Sequence, residues 1–175
     1  MLKFDVFLEK IPCTRSKKGF KIINEPAFWE RAEERYPGIS SAKGCYVFGL
    51  SAAGGMKPHY VGKATKTFKQ EVFAAGKRNH YLKCMNDKSG TPIIILIAAI
   101  TNKGQLAQGV RDGAIAWIEE MLINSALLRN PDLINRQKIA YAKSIIIPGF
   151  MNTVQGQSNH SGATALRNMF FGTRR

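Results

Sequence analysis

The sequence predicts an α+β domain, built as a small three-stranded antiparallel sheet flanked by helices. Three observations carry that expectation. Ile93 to Ile100 is a run of 8 apolar residues, too short and too β-branched for anything but a buried strand. Cys45-Tyr-Val-Phe-Gly-Leu and His59-Tyr-Val-Gly-Lys flank a loop containing Gly54-Gly55, the pattern of an antiparallel hairpin. Val110 to Arg129 repeats its apolar residues at three-and-four spacing, the period of a long helix. At 175 residues the chain suits one domain rather than two, so residues 1–175 read as a single domain.

The elements follow in order. Asn24 caps a helix with Pro26 in its first turn, which runs to about Tyr36 before Pro37-Gly38 stops it. The hairpin comes next, with Ser51 to Pro58 as its loop. Lys66 to Ala75 and Asn79 to Lys88 read as helices, and Gly90-Thr-Pro breaks the chain before the apolar strand. Asn102-Lys-Gly-Gln is a turn, and Asn130-Pro131 ends the long helix. Ser144 to Pro148 reads as a last strand, Asn152 to Gly162 as a polar mobile loop, and Ser161 as the cap of a final helix. Trp29 and Trp117 are expected as core anchors, Met169, Phe170 and Phe171 as docking residues, and His160 as solvated.

Composition excludes several classes. With 45% apolar and 22% charged residues the chain is not wholesale disordered. No apolar run approaches the roughly 20 residues of a spanning helix. The first ten residues mix charges into apolar positions and lack a signal-peptide core, so no membrane and a cytoplasmic location are expected. Cys13, Cys45 and Cys84 are odd in number and scattered, which argues against a disulfide framework. His80 and Cys84 lie one helical turn apart, but two ligands do not make a zinc site.

Charge points to the partner. The 26 Lys and Arg outweigh 12 Asp and Glu, for a net +14. The excess is greatest in residues 37–100, with 9 basic against 2 acidic. There Lys63, Lys66, Lys69, Lys77, Arg78 and Lys83 interleave with Tyr60, Phe68, Phe73, His80 and Tyr81, as on a phosphate-binding surface. The alternative is a solvated face that maintains solubility.

On the long helix Ile115, Ile118, Leu122, Ile123 and Ala126 form an apolar stripe, and Glu119 falls inside it. Glu120 is turned about 100° away. A carboxylate on a core-facing stripe must be paired, protonated or bound to a cation, unless it sits at the stripe's edge and reaches water.

Gly44-Cys45-Tyr46, 13 further residues, then Tyr60-Val61-Gly62 resembles the paired motifs of the GIY-YIG nuclease superfamily. Tyr60-Val-Gly-Lys-Ala is similar to the second motif of the nuclease domain in the bacterial excision-repair incision subunit. Glu119-Glu-Met-Leu-Ile and Asn130-Pro-Asp-Leu-Ile-Asn135 resemble the family's metal-binding Glu and terminal Asn, so the likeness covers about residues 41–136. Residues 1–40 and 137–175 are then N- and C-terminal extensions of a GIY-YIG-like core.

The resemblance implies a role for each matching residue. Tyr46 sits near the attacking water and deprotonates it, and Tyr60 supports the phosphate. Lys63 holds the phosphate and lowers a neighbouring tyrosine's pKa, which needs lowering from about 10 for a base at neutral pH. Glu119 holds one divalent cation, Mg²⁺ or Mn²⁺, and Asn135 braces the site. The implied reaction is hydrolysis of a DNA phosphodiester, RNA being an alternative substrate, to a 5′-phosphate and a 3′-hydroxyl.

There are two departures. Where relatives place a phosphate-contacting arginine, this chain has Glu71, which either hydrogen-bonds a cation such as Lys63 or weakens phosphate binding. Arg78, about two turns on, is the candidate substitute if the chain bends at Ala74-Ala75-Gly76. The Glu119-to-Asn135 spacing is also longer than in the repair enzyme, by about one helical turn. Three functions therefore stand: a metal-dependent endonuclease, a nucleic-acid-binding module on the same fold that has lost cleavage, and a basic RNA-associated protein with coincidental motifs.

Overall fold

The apolar run becomes the spine of the sheet. In the computed structural model, which describes residues 3–135 apart from 17, 18, 23, 87 and 108, together with Gly162, Ala165 and Met169, ten elements follow in chain order. They are strands β1 (Lys3–Lys10), β2 (Cys13–Ser16) and β3 (Gly19–Ile22), helix α1 (Glu25–Arg35), strands β4 (Gly44–Ala52) and β5 (Gly55–Ala64), helices α2 (Phe68–Glu71) and α3 (Ala75–Asn86), strand β6 (Thr91–Ile100) and helix α4 (Asp112–Arg129) together with the short 3₁₀ turn Ile39–Ser41. The chain divides into two compact units, Met1–Asn135 and Arg136–Arg175, and the elements above belong to the first.

The architecture is α+β. The expected three strands lie side by side as β6-β4-β5, all antiparallel, but a fourth, β1, pairs antiparallel with β6 on its other edge. β2 and β3 form a separate two-stranded sheet. The first 40 residues are therefore part of the sheet architecture as well as an extension. β1 escapes a sequence reading because its inward face carries a charge. Phe7 and Glu9 are buried while Val6 and Leu8 face out, and Glu9 is tolerated there because Arg31 and Arg35 of α1 reach it at 3.4 and 2.8 Å.

α1 begins where expected, Asn24 accepting from the Ala27 N–H. Phe28, Trp29 and Ala32 of that helix join Tyr46, Phe48, Leu50, Tyr60, Tyr81 and Leu96 in the main core on one face of the sheet. The other face is smaller: Cys45 and Ala99 pack with Val110 and Ile115 at the start of α4. Trp29 is a core anchor, but Trp117 is not, being 63% exposed on α4.

Two local expectations are corrected. The hairpin loop shrinks to Ala53-Gly54, because β4 and β5 pair as far as Ala52 and Gly55. Pro58 is admitted to β5 because that strand forms one edge of the four-stranded sheet and a bulge leaves His59 as the extra residue between the Phe48–Tyr60 and Gly49–Pro58 pairs. The helix expected over 66–75 is only the four residues of α2, and α3 then starts at Ala75 rather than Asn79. Ala74 ends the break by accepting from the amides of Lys77 and Arg78. The strand expected at Ser144–Pro148, and Ser161, His160, Phe170 and Phe171, lie outside the described residues; Met169 is helical and exposed. Among the described residues no helix is long and apolar enough to cross a membrane.

Candidate active site at the outer strand

β5 organises the site. Tyr46 on β4 stands opposite Gly62, and Phe48 stands opposite Tyr60, so both motif tyrosines project from the main-core face. Their ring centroids are 6.2 Å apart. The motif glycines answer to packing. A Cβ on Gly62 would collide with the ring and hydroxyl of Tyr46, and one on Gly44 would strike the Ile97 carbonyl of β6. Tyr46 thus lies across the strand at Gly62, where there is no side chain to meet it.

Tyr60 is better partnered. Lys77, in the first turn of α3, donates to its hydroxyl at 2.5 Å, and the His80 ring stacks on it at 5.1 Å. Tyr46 is enclosed, and among the described residues its hydroxyl and that of Tyr81 make no hydrogen bond. Burial pushes Tyr46 far above the ordinary tyrosine range, and Tyr60, Glu71 and Glu119 push it the same way. Tyr81 is raised likewise, chiefly by burial. The lowering of a neighbouring tyrosine expected from Lys63 is not found at Tyr46, which burial and its neighbours raise.

Lys63 stands opposite Cys45, on the sheet face that carries α4. Its ammonium lies 3.4 Å from a Glu119 oxygen. Glu119 is buried, 8% exposed, and Glu120 is exposed, as the helical stripe predicts. A carboxylate so placed must be answered by a cation, and Lys63 answers it.

Glu71 does something else. One of its oxygens accepts from the amides of Thr65 and Lys66 at 2.8 and 2.7 Å, tying down the turn that follows β5. Neither expected alternative, a bond to Lys63 or a bare repulsion of phosphate, describes that arrangement. Arg78 does not replace the missing arginine either. Its guanidinium donates to the Phe73 carbonyl at 2.6 Å and pairs with Glu25. The break after Glu71 instead brings Lys77 to Tyr60. Lys66, Lys69 and Lys83 are exposed around this region, and Lys77 and Arg78 are half-buried.

Beyond α4 the chain returns along the free edge of β5. Asn135 makes a reciprocal pair with Val61, accepting from its N–H at 2.9 Å and donating to its carbonyl at 2.6 Å. Ile134 donates to the His59 carbonyl at 3.0 Å, and Asn130 donates to the Pro58 carbonyl at 2.6 Å. Asn135 thus braces the strand between Tyr60 and Gly62. The sequence reading missed Asn130 as a second brace, because Asn-Pro reads as a helix end and nothing local shows a partner 72 residues away.

The carboxylate that the sequence assigns to a cation, Glu119, is paired with Lys63. Among the described residues no three His, Cys, Asp or Glu side chains gather into a metal-holding group. A closed zinc or calcium cage needs more ligands. Mg²⁺ keeps several waters and joins a substrate phosphate through one or two carboxylates, so a single buried carboxylate fits it. Comparison with family models, with curated proteins and with solved structures finds no match for the chain.

Proposed function

We propose that the protein is a divalent-metal-dependent endonuclease of the GIY-YIG type, hydrolysing DNA phosphodiester bonds. The observation that carries this reading is that β5 holds both clusters, Tyr46, Tyr60 and Lys77 on its main-core face and the Lys63–Glu119 pair on its α4 face, with Glu119 near enough to act electrostatically on Tyr46 and Asn135 bracing the strand. Mg²⁺ or Mn²⁺ held by Glu119 would supply positive charge to the phosphoryl oxygens and the leaving oxygen. Lys77 and Lys63 bind the phosphate, and Lys77 also fixes the direction of the Tyr60 hydroxyl. Tyr46 is the tyrosine assigned to the attacking water, a role that requires its enclosed hydroxyl to be uncovered when the phosphate binds. The products are a 5′-phosphate and a 3′-hydroxyl.

A second reading, a binding module on the same fold that no longer cleaves, is favoured by one observation. In this state Glu119 is already neutralised by Lys63 and Tyr46 is held neutral. Incubating supercoiled plasmid with the purified protein and Mg²⁺ or Mn²⁺, then with chelator, separates the two. Chelator-sensitive nicking is the expected result. A gel shift with no nicked product selects the binding module, and running the same assay on RNA tests the alternative substrate.

A further inference from the structure

Toward the hairpin turn, away from Gly62, a second feature concentrates positive charge. A pocket of about 390 Å³, a size typical of small-ligand sites, is lined by Met56, Lys57, His59, Lys88, Ser89 and Arg129, among others. Its three cations come from three places in the fold: β5, the turn after α3, and the last turn of α4. The lining holds no carboxylate, and among the described residues none of the three cations is in an ion pair. Like charges gathered around a partly apolar concavity repel one another and focus a positive potential into it.

His59 sets the wall. It is 2% exposed, and Asn130, whose amide nitrogen also donates to the Pro58 carbonyl, lies 3.1 Å from its Nδ1. An amide nitrogen only donates, so Nδ1 accepts and the proton of the neutral ring resides on Nε2. Burial, then Lys88 and Lys57, press its pKa down to about 4, against a smaller opposing pull from Asp132. The fold therefore places a neutral imidazole beside three cations.

We propose that this pocket is a phosphate-binding site separate from the tyrosine site, with Lys57, Lys88 and Arg129 holding the anion and Ser89 and His59 as neutral polar wall residues. A phosphate group is favoured because it brings several acceptor oxygens to three cations, with one charge in a strand's phosphodiester and up to two in a free or terminal phosphate. The phosphate belongs either to a nucleic-acid strand or to a small free ligand. The site uses none of the residues assigned to cleavage, so it stands or falls apart from the endonuclease reading.

The test follows the His59 imidazole resonances at pH 7 as inorganic phosphate is added against matched chloride. Wild type should show a saturable shift, and Lys57→Ala/Lys88→Ala should weaken the apparent affinity at least about tenfold. Glu119→Gln should bind as wild type does, which separates this site from the catalytic one. A short single-stranded DNA that shifts the same resonances at lower concentration than inorganic phosphate identifies the strand as the source. Inorganic phosphate acting at equal or lower concentration identifies a small ligand. A shift that does not saturate, or one unchanged in the double variant, overturns the proposal.

Discussion

Glu71, at the end of α2 just beyond the outer strand, and Glu119, on the long helix, both raise the pKa of Tyr46, but different groups satisfy them. Glu71 is held by two backbone amides, groups that cannot leave without unmaking the turn. Glu119 is paired with Lys63, whose side chain is 39% exposed, a partner that can swing away when another cation or a phosphate arrives. The first acid belongs to the fold, and the second is the one the proposed chemistry would use. Sequence position alone suggested the reverse for Glu71, since it falls where the GIY-YIG family that the motifs resemble has a phosphate-binding arginine.

The largest expected effect breaks the comparison at Glu119. Glu119→Gln keeps the shape but removes the charge that would hold the cation, so plasmid nicking should fall at least about a hundredfold with DNA affinity little changed. Glu120→Gln, on the exposed face, should be near neutral in the same assay. Damage from the Glu120 change instead would mean that the buried acid is not the working one.

Lys77 and Arg78 sharpen the same contrast between neighbours. Lys77→Met removes the donor to the Tyr60 hydroxyl and should slow nicking about tenfold or more, an effect typical of a lost charged contact. Arg78→Ala should instead lower the melting temperature, through the lost contacts to Glu25 and the Phe73 carbonyl, with the rate per folded molecule kept. Equal loss of rate in both variants would contradict the placement of α3.

At Glu71 the expected loss is one of stability. Glu71→Ala leaves the Thr65 and Lys66 amides without their acceptor, at a cost of about 1–3 kcal/mol in denaturant unfolding, while Glu71→Gln retains one acceptor oxygen and should cost less. Nicking per folded molecule should stay near wild type for Glu71→Gln. A large loss of rate without loss of stability would return Glu71 to the chemistry.

The smallest effect is one of pH. His59 in the folded chain titrates at about 4 against an ordinary 6.5. Between those values the unfolded chain binds more protons, so stability rises with pH across the window and is lost as pH falls through it. Melting temperatures should therefore decline from pH 7 toward 4 more steeply for wild type than for His59→Gln. Parallel curves would mean that His59 is not held neutral.

What could be read beforehand depended on whether the signal was local. β4, β5, β6, α1 and α4 follow from runs, caps and periodicity, and the inward face of Glu119 follows from the 3.6-residue repeat. β1 was hidden because its buried Glu9 is answered by arginines more than 20 positions on. The contacts of Lys77 and Glu71 depend on where the helix after β5 breaks, which a sequence rich in helix formers does not mark. Asn130 and Asn135 were legible as chain-end signals, but the strand they brace is 74 residues earlier at Val61.

The central claim is that the Glu119 carboxylate can exchange Lys63 for a divalent cation at a bound phosphate. Paramagnetic broadening by Mn²⁺, measured on isotopically labelled protein with a short DNA duplex bound, tests it most directly. The account predicts selective loss of signals from Tyr46, Lys63 and Glu119 at substoichiometric Mn²⁺, and their retention in Glu119→Gln. Broadening that is equal in the two proteins, or centred elsewhere, would contradict it.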